Sequence, residues 1–225
     1  MPTIRSYSQR AFASTSSTVQ RPSGVQPGDL LIAFMGSDRG DVSDLQISGG
    51  WTLISQQEGF IDPWAGSKVW RRVATAGEPS SYQVSQGPGA DGVVIIVAIR
   101  DASASGIVVR AAGAEEWSNE VLAPAATPSK AGSLALRWAA GTPFLPGYEV
   151  DWYYPSGHQG VTQLQSGLFA SAALAARQLP TTSPIGSAEF VVVPPVDVWQ
   201  AFTVIVPPAT SSGPTPPPAP PPTTP

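Results

Sequence analysis

Few residues of this chain have the type and spacing that chemistry requires. The only histidine is His158, and the chain contains no cysteine, which excludes thiolate nucleophiles, thiolate metal sites and disulfides. A catalytic histidine needs a nucleophile and an orienting acid, and no serine stands in a G-x-S-x-G nucleophile elbow. Because His158 lies between Gly157 and Gln159 among turn formers, we interpret it as a surface loop residue.

A run of acidic residues is the second candidate for chemistry. Asp38, Asp41 and Asp44 recur at every third position within residues 36–44. A calcium-binding loop places its acids at every second position and ends on a glutamate. The observed spacing therefore favours an exposed, solvated loop over a metal site.

Paired carboxylates are the third candidate. Glu115 with Glu116, or Glu58 with Asp62, have the residue types of a glycoside hydrolase. That reaction needs two carboxyl groups at a fixed separation across a cleft, and spacing along the sequence does not establish one. We predict that the chain is not an enzyme and that it has no catalytic residue, no metal and no cofactor.

Aromatic residues give the best candidates for binding. Phe60 and Trp64 lie in a predicted loop between strands, and Tyr153 follows Trp152 in an alternating segment, residues 148–154. Exposed aromatic rings stack on sugars and anchor protein interfaces. The alternation favours a core position for Trp152, whereas Phe60, Trp64 and Tyr153 are predicted interface residues.

Composition restricts the classes of partner. The chain has 12 basic and 16 acidic residues, a net charge of −4 and only 12% charged residues. Without a cluster of Lys and Arg, we expect no nucleic-acid binding. The longest apolar run, residues 93–99, is too short to span a bilayer, and residues 1–18 lack the apolar core of a signal peptide. We therefore expect no membrane insertion.

The hydrophobic pattern predicts an all-β fold. Residues 51–56 and 69–74 alternate with period two, and residues 30–35 and 93–100 are buried apolar runs. Residues 168–179 are compatible with helix or strand, and we take them as a strand. Residues 113–131 are interpreted as a polar connection, and no internal repeat is apparent. The pattern predicts one antiparallel, jelly-roll-like β-sandwich over residues 1–208. The residues predicted to be mostly buried in it are Trp51, Trp70, Val94, Ile96, Ala98, Leu136 and Trp199.

The C-terminal segment, residues 209–225, differs from the rest. It has seven prolines between positions 214 and 222, a composition that favours an extended polyproline II arm. Residues 213–225 would span roughly 40 Å at about 3.1 Å per residue. The predicted interface prolines of this arm are Pro216, Pro217, Pro218, Pro220, Pro221 and Pro222.

Several short motifs resemble a β-sandwich family of bacteriophage minor tail and other virion proteins. The motifs are PGDLL at 27–31, GWTL at 50–53, WRRVATAGEP at 70–79, VIIVAIRD at 94–101, PG at 146–147 and the strand at 199–207. The resemblance covers roughly residues 20–208. The residue bias toward Ala, Gly, Pro and Arg is typical of a GC-rich genome, such as that of an actinobacteriophage.

The resemblance implies a non-enzymatic virion structural protein, with a minor tail or tail-tip component as the first expectation. A capsid decoration or head-fibre protein, and an adhesin for host cell-wall carbohydrate, are the alternatives. It also implies a homo-oligomer, with a trimer favoured, that contacts other virion proteins. We expect the proline arm to pack on another chain, against Phe60, Trp64 or Tyr153. The protein would be made in the host cytoplasm without a signal peptide and located on the tail or capsid surface.

Overall fold

The fold is known from a computed structural model, which describes residues 1–39, 41–58, 64–143, 148–167 and 169–210, with only the backbone at 64 and 65. These residues contain fourteen β-strands and one 3-10 turn, Val42–Asp44. The strands are β1 Thr3–Phe12, β2 Ser16–Gln20, β3 Leu30–Arg39, β4 Gln46–Ile47, β5 Thr52–Gln57, β6 Trp64–Val73, β7 Ser81–Ser85, β8 Gly92–Arg100, β9 Val108–Ala123, β10 Ser133–Pro143, β11 Asp151–Tyr153, β12 Gln159–Ser166, β13 Ala170–Leu179 and β14 Ala188–Val206.

The first half of the chain forms an eight-stranded roll, which we call the first roll. Its large sheet has the antiparallel order β1-β8-β3-β6-β5, and its small sheet has the order β2-β7-β4. The chain thus passes back and forth between two packed layers, as in a jelly roll. Between the layers, Leu31, Met35 and Ile96 of the large sheet pack against Tyr82 and Val84 of the small one. The predicted jelly-roll-like sandwich is confirmed.

The second half, which we call the second roll, repeats this arrangement. Its large sheet has the order β9-β14-β10-β13-β12, and β11 pairs with the first residues of β14. Here β9 and β14 are each long enough to contribute residues to both layers. Register shifts between Val191 and Val198 mark the position at which β14 bends from one layer to the other. Beyond the bend, Val121, Trp152 and Phe190 pack back onto the large sheet.

Strand by strand, the two rolls have the same topology. The strands β1, β3, β5, β6 and β8 correspond to β9, β10, β12, β13 and the second part of β14. Three local features also recur. The pairing of the two central strands begins at the equivalent residue pair, the edge strand contains a β-bulge, and a glycine with positive φ precedes that edge strand. The equivalent positions are Leu30 and Leu134, Ile99 and Val206, Leu53 and Gly160, Ser55 and Thr162, and Gly50 and Gly157.

The two halves therefore form a structural repeat that is not apparent in the sequence. The repeat lies in topology and register, whereas most equivalent positions keep only their apolar character. Phe34, for example, corresponds to Trp138, and Val69 corresponds to Leu174. Such pairs leave little identity for a sequence comparison to find.

The two rolls pack through their large sheets, which gives four layers of strands. One hydrophobic core fills the space between them, with Ile32, Phe34 and Ile95 on one side and Trp138 and Phe202 on the other. The rings of Phe34 and Trp138 stack with centroids 6.0 Å apart. Because these residues are equivalent in the two rolls, they lie close to a pseudo-two-fold axis. The same symmetry places β1 against β12 and β9 against β5.

The four-layer arrangement explains the sequence pattern. The runs 30–35 and 93–99 are apolar at nearly every position because they lie in the inner layers and are covered on both faces. The predicted burial of Trp70, Val94, Ile96, Ala98, Leu136 and Trp199 is confirmed. Trp51 was predicted to be mostly buried, but it is only half-buried, edge-on to Tyr82 in the first roll.

Three segments test the strand assignments. Residues 168–179 contain a strand, β13, as predicted, because their alanines lie close beneath neighbouring layers. The polar connection predicted at 113–131 is wrong for 113–123, because β9 continues to Ala123. The exposed loop predicted at 36–44 is wrong for 36–39, because β3 continues to Arg39 and buries Asp38, whereas Asp41 and Asp44 are exposed. The boundary between domain and arm at residue 208 stays a prediction.

Candidate interaction surface

The outermost layer of the second roll carries large exposed apolar side chains. Three short strand segments form this layer, and their alternate residues point inward, where Val121, Trp152, Phe190 and Val192 are buried. Period two then directs the residues between them to solvent. These outward positions, which we call the outer face, are Val191, which is half-buried, and six exposed residues, Glu120, Leu122, Asp151, Tyr153, Glu189 and Val193.

Strand register brings the apolar members of the outer face together. Tyr153 pairs directly with Val191, and Val193 lies two residues further along β14. Side chains at such positions are direct or diagonal neighbours on one face of a sheet. The exposed fractions are 59% for Tyr153, 49% for Val193 and 43% for Leu122. These are large values for apolar residues within paired strands, so the outer face is an uncovered hydrophobic patch.

The charge of the outer face has one sign. Glu120 pairs with Val191, Asp151 pairs with Val193, and Glu189 pairs with Leu122, so each of these acids stands opposite an apolar residue. The face contains no Lys or Arg. Within the described residues, the ion pairs are Arg5–Asp29 and Arg72–Glu78, both in the first roll. The outer face is therefore apolar and acidic together.

The corresponding layer of the first roll has a different surface. Its inward residues, Val19, Tyr82 and Val84, are buried as in the second roll. Its outward residues are neutral and polar, with no large apolar side chain among them. These residues are Ser16, Thr18, Gln20, Gln46, Ser81, Gln83 and Ser85. The fold therefore does not require the apolar and acidic residues that form the outer face of the second roll.

The predicted interface residues have different outcomes. Tyr153 is exposed on a sheet face, next to Val191. Trp64 begins β6 and pairs with Arg39, but its side chain lies outside the described residues. Phe60 and the arm prolines at 216–222 also lie outside them.

Of the seven members of the outer face, sequence reasoning found only Tyr153 and missed the apolar Leu122, Val191 and Val193 and the three acids. The interpretation of residues 113–131 as a connection hides Leu122. The signal in the sequence is an apolar run after a single acid, EVLA at 120–123 and EFVVV at 189–193, which indicates strands but not which residues face solvent.

A small cavity between the rolls, next to a buried carboxyl group, is the strongest candidate for chemistry. The amide of Asp91 donates to Oδ1 of the buried Asp38 at 2.6 Å, and burial raises the pKa of Asp38 to about 6. The neighbouring cavity has a volume of about 10 Å³ and is lined by Ser67, Thr142 and Gln200 among others. That volume holds about one water molecule, so the cavity has no room for a substrate.

The structure also places the other groups that the sequence offers for catalysis, except Asp62, which lies outside the described residues. Nδ1 of His158 lies 3.1 Å from the carbonyl oxygen of Ser156, and burial lowers the pKa of the imidazole. Glu115 and Glu116 lie exposed on β9. Among the described residues, no group of three or more His, Cys, Asp or Glu side chains is placed to hold a metal ion.

The comparisons with known proteins leave the chain without a recognised relative. It matches no protein-family model, no curated protein and no solved structure. Its described residues contain no helix long and apolar enough to cross a membrane. The functional argument therefore depends on the surfaces of the chain itself.

Proposed function

We propose that this chain is a non-enzymatic structural protein of a bacteriophage particle, with a minor tail or tail-tip component as the first candidate. The observation that carries the proposal is the outer face, an apolar patch that the described residues of the two rolls leave exposed. Patches of this kind mark sites of contact with other molecules. The resemblance of the PGDLL, GWTL and VATAGEP segments to virion proteins supports the placement on a particle.

Two alternative functions can be distinguished by experiment. A capsid decoration or head-fibre protein would use the same surfaces at another location on the particle. A host cell-wall adhesin is favoured by the exposed rings of Tyr148 and Tyr153, since tyrosine rings stack on sugars. Negative-stain images with a labelled antibody distinguish tail from capsid. A pull-down with purified cell wall, comparing the intact chain with Tyr153→Ala, tests the adhesin.

We also propose that the chain forms a homo-oligomer, with a trimer favoured, in which residues 209–225 pack on another chain. A polyproline II segment is already extended, so it loses little further entropy when it binds an aromatic surface. The candidates for that surface are Phe60, Trp64 and Tyr153. Light scattering should give the mass of an oligomer for the intact chain and a lower average mass after deletion of 209–225, with an unchanged melting temperature. A monomer in both cases would contradict self-assembly.

A further inference from the structure

The internal repeat supplies a control for the outer face. Both rolls have the same strand order, and both bury the inner side of their small sheets with large apolar residues. Their outward residues differ, because one sheet exposes Ser, Thr and Gln and the other exposes Leu, Val, Tyr and acids. Because the same fold forms with neutral polar residues at these positions in the first roll, the apolar and acidic residues of the second roll point to a contact made by the second roll alone.

We propose that the outer face docks a protein segment that presents apolar side chains together with Arg or Lys. The apolar component of this partner would cover Tyr153, Val191 and Val193, which adjoin one another through strand pairing. Its cations would meet Glu120 and Asp151, which stand directly opposite two of these apolar residues. Complementary charge of this kind selects a partner and its register.

The same chemistry argues against two other occupants. A second copy docked face to face would place Glu120, Asp151 and Glu189 against the same three acids, and like charges at close range disfavour such a pairing. The proline arm, residues 209–225, has no charged residue. It therefore offers nothing to the carboxylates, so the proposed partner is distinct from the arm, and Phe60 and Trp64 remain as the arm's candidate surface.

The size of the outer face sets its role in the interface. Three strands about 4.8 Å apart, each with up to six residues rising about 3.3 Å, give a patch of roughly 15 Å by 20 Å. A stable interface buries about 800 Å² on each partner. The outer face is then the centre of a larger contact, where a few residues contribute most of the affinity.

The test uses three labelled peptides and the full-length protein. One ten-residue peptide alternates Arg and Leu, a second alternates Glu and Leu, and a third has the sequence of residues 209–225. Fluorescence anisotropy gives the affinity of each peptide at low and physiological salt. We expect the cationic peptide to bind at least about tenfold more tightly than the acidic one, and its binding to weaken as salt rises.

Two variants separate the two parts of the proposed chemistry. Glu120→Gln with Asp151→Asn removes charge and keeps shape, and Leu122→Ser with Val193→Ser removes the apolar contact and keeps charge. Each pair of substitutions should reduce the affinity for the cationic peptide about tenfold, and only the first pair should reduce the salt dependence of that binding. The matched control is Gln83→Ala in the first roll, which should leave the affinity within about twofold. Because all these side chains are exposed, circular dichroism should show unchanged melting.

Every other result overturns the proposal. Failure of the cationic peptide to bind, equal binding of the acidic peptide, or binding unaffected by either pair of substitutions would each do so. Tighter binding of the 209–225 peptide, lost in Leu122→Ser with Val193→Ser, would assign the outer face to the arm. A dimer in sedimentation that the same pair abolishes would assign it to a second copy.

Discussion

Truncation of the tryptophan at the pseudo-two-fold axis tests whether the two rolls share one core. Trp138 is only 1% exposed, and its ring lies between Phe34, at 6.0 Å, and Phe202, at 5.5 Å between centroids. A Cβ added at Gly36 would lie 3.1 Å from the indole, so the ring fills its space tightly. Trp138→Ala should therefore leave a cavity that the sheets cannot close, at a cost of up to about 5 kcal/mol.

One feature lowers this cost. The indole Nε1–H of Trp138 is buried and makes no hydrogen bond with the described residues. Removing an unsatisfied buried donor returns about 1 kcal/mol, so we expect a net loss of about 3–4 kcal/mol. Trp138→Phe keeps much of the ring and removes the donor, and it should cost about 1–2 kcal/mol.

The assay is urea unfolding followed by far-ultraviolet circular dichroism and by fluorescence. The matched control is Trp117→Ala, because Trp117 is 65% exposed and its truncation should change stability by less than about 0.5 kcal/mol. A double-mutant cycle with Phe34→Ala should give a coupling of about 0.5–1.5 kcal/mol. A loss below about 1 kcal/mol for Trp138→Ala, or separate transitions for the two halves, would refute the shared core.

Two further predictions concern the buried carboxyl groups of Asp38 and Glu78, and a third concerns metal dependence. The pKa of Asp38 is about 6, above its ordinary value of 3.8, so ionisation of this carboxyl group destabilises the fold as pH rises through that interval. Asp38→Asn should therefore add roughly 1–3 kcal/mol to the free energy of unfolding at pH 7.5 and nothing near pH 3.5. A difference in the free energy of unfolding that does not change with pH would contradict this. Burial raises the pKa of Glu78, but hydrogen bonds from Arg72, the Thr75 amide and Tyr82 outweigh burial and leave the pKa lowered. In urea titrations, Glu78→Gln should reduce the free energy of unfolding by roughly 1–3 kcal/mol at pH 7 and by less as pH falls below 4. An equal reduction at both pH values would contradict the lowered pKa. A chelator should leave the melting temperature unchanged, and a calcium-dependent rise of several degrees would count against the absence of a metal.

Most strands of the fold were predictable from the sequence, whereas the arrangement of two rolls in four layers was not. The apolar runs at 30–35 and 93–100 predicted strands covered on both faces, and the alternation at 69–74 predicted a half-buried strand. These signals are local, because each depends on the spacing of side chains along one strand. The antiparallel sandwich follows from them together with the frequent turns.

The repeat and the outer face depend on information that is not local. Trp138 and Phe34 look unrelated until strand pairing places them at the same position in two sheets. The length of β9 was hidden because its inward residues, such as Ala112 and Ala114, are small and give little hydrophobic contrast. Exposure of Tyr153 beside Val191 depends on which way an edge strand faces, and alternation alone does not fix that.

The most direct test of the proposed role is whether the chain is a stoichiometric part of purified phage particles. Particles banded on a density gradient, washed in high salt and analysed by quantitative mass spectrometry give the copy number of the chain per particle. We expect a fixed copy number, and for a trimeric component a multiple of three. A chain found only in the soluble lysate, or lost from particles in variable amounts on washing, would contradict a structural role in the virion.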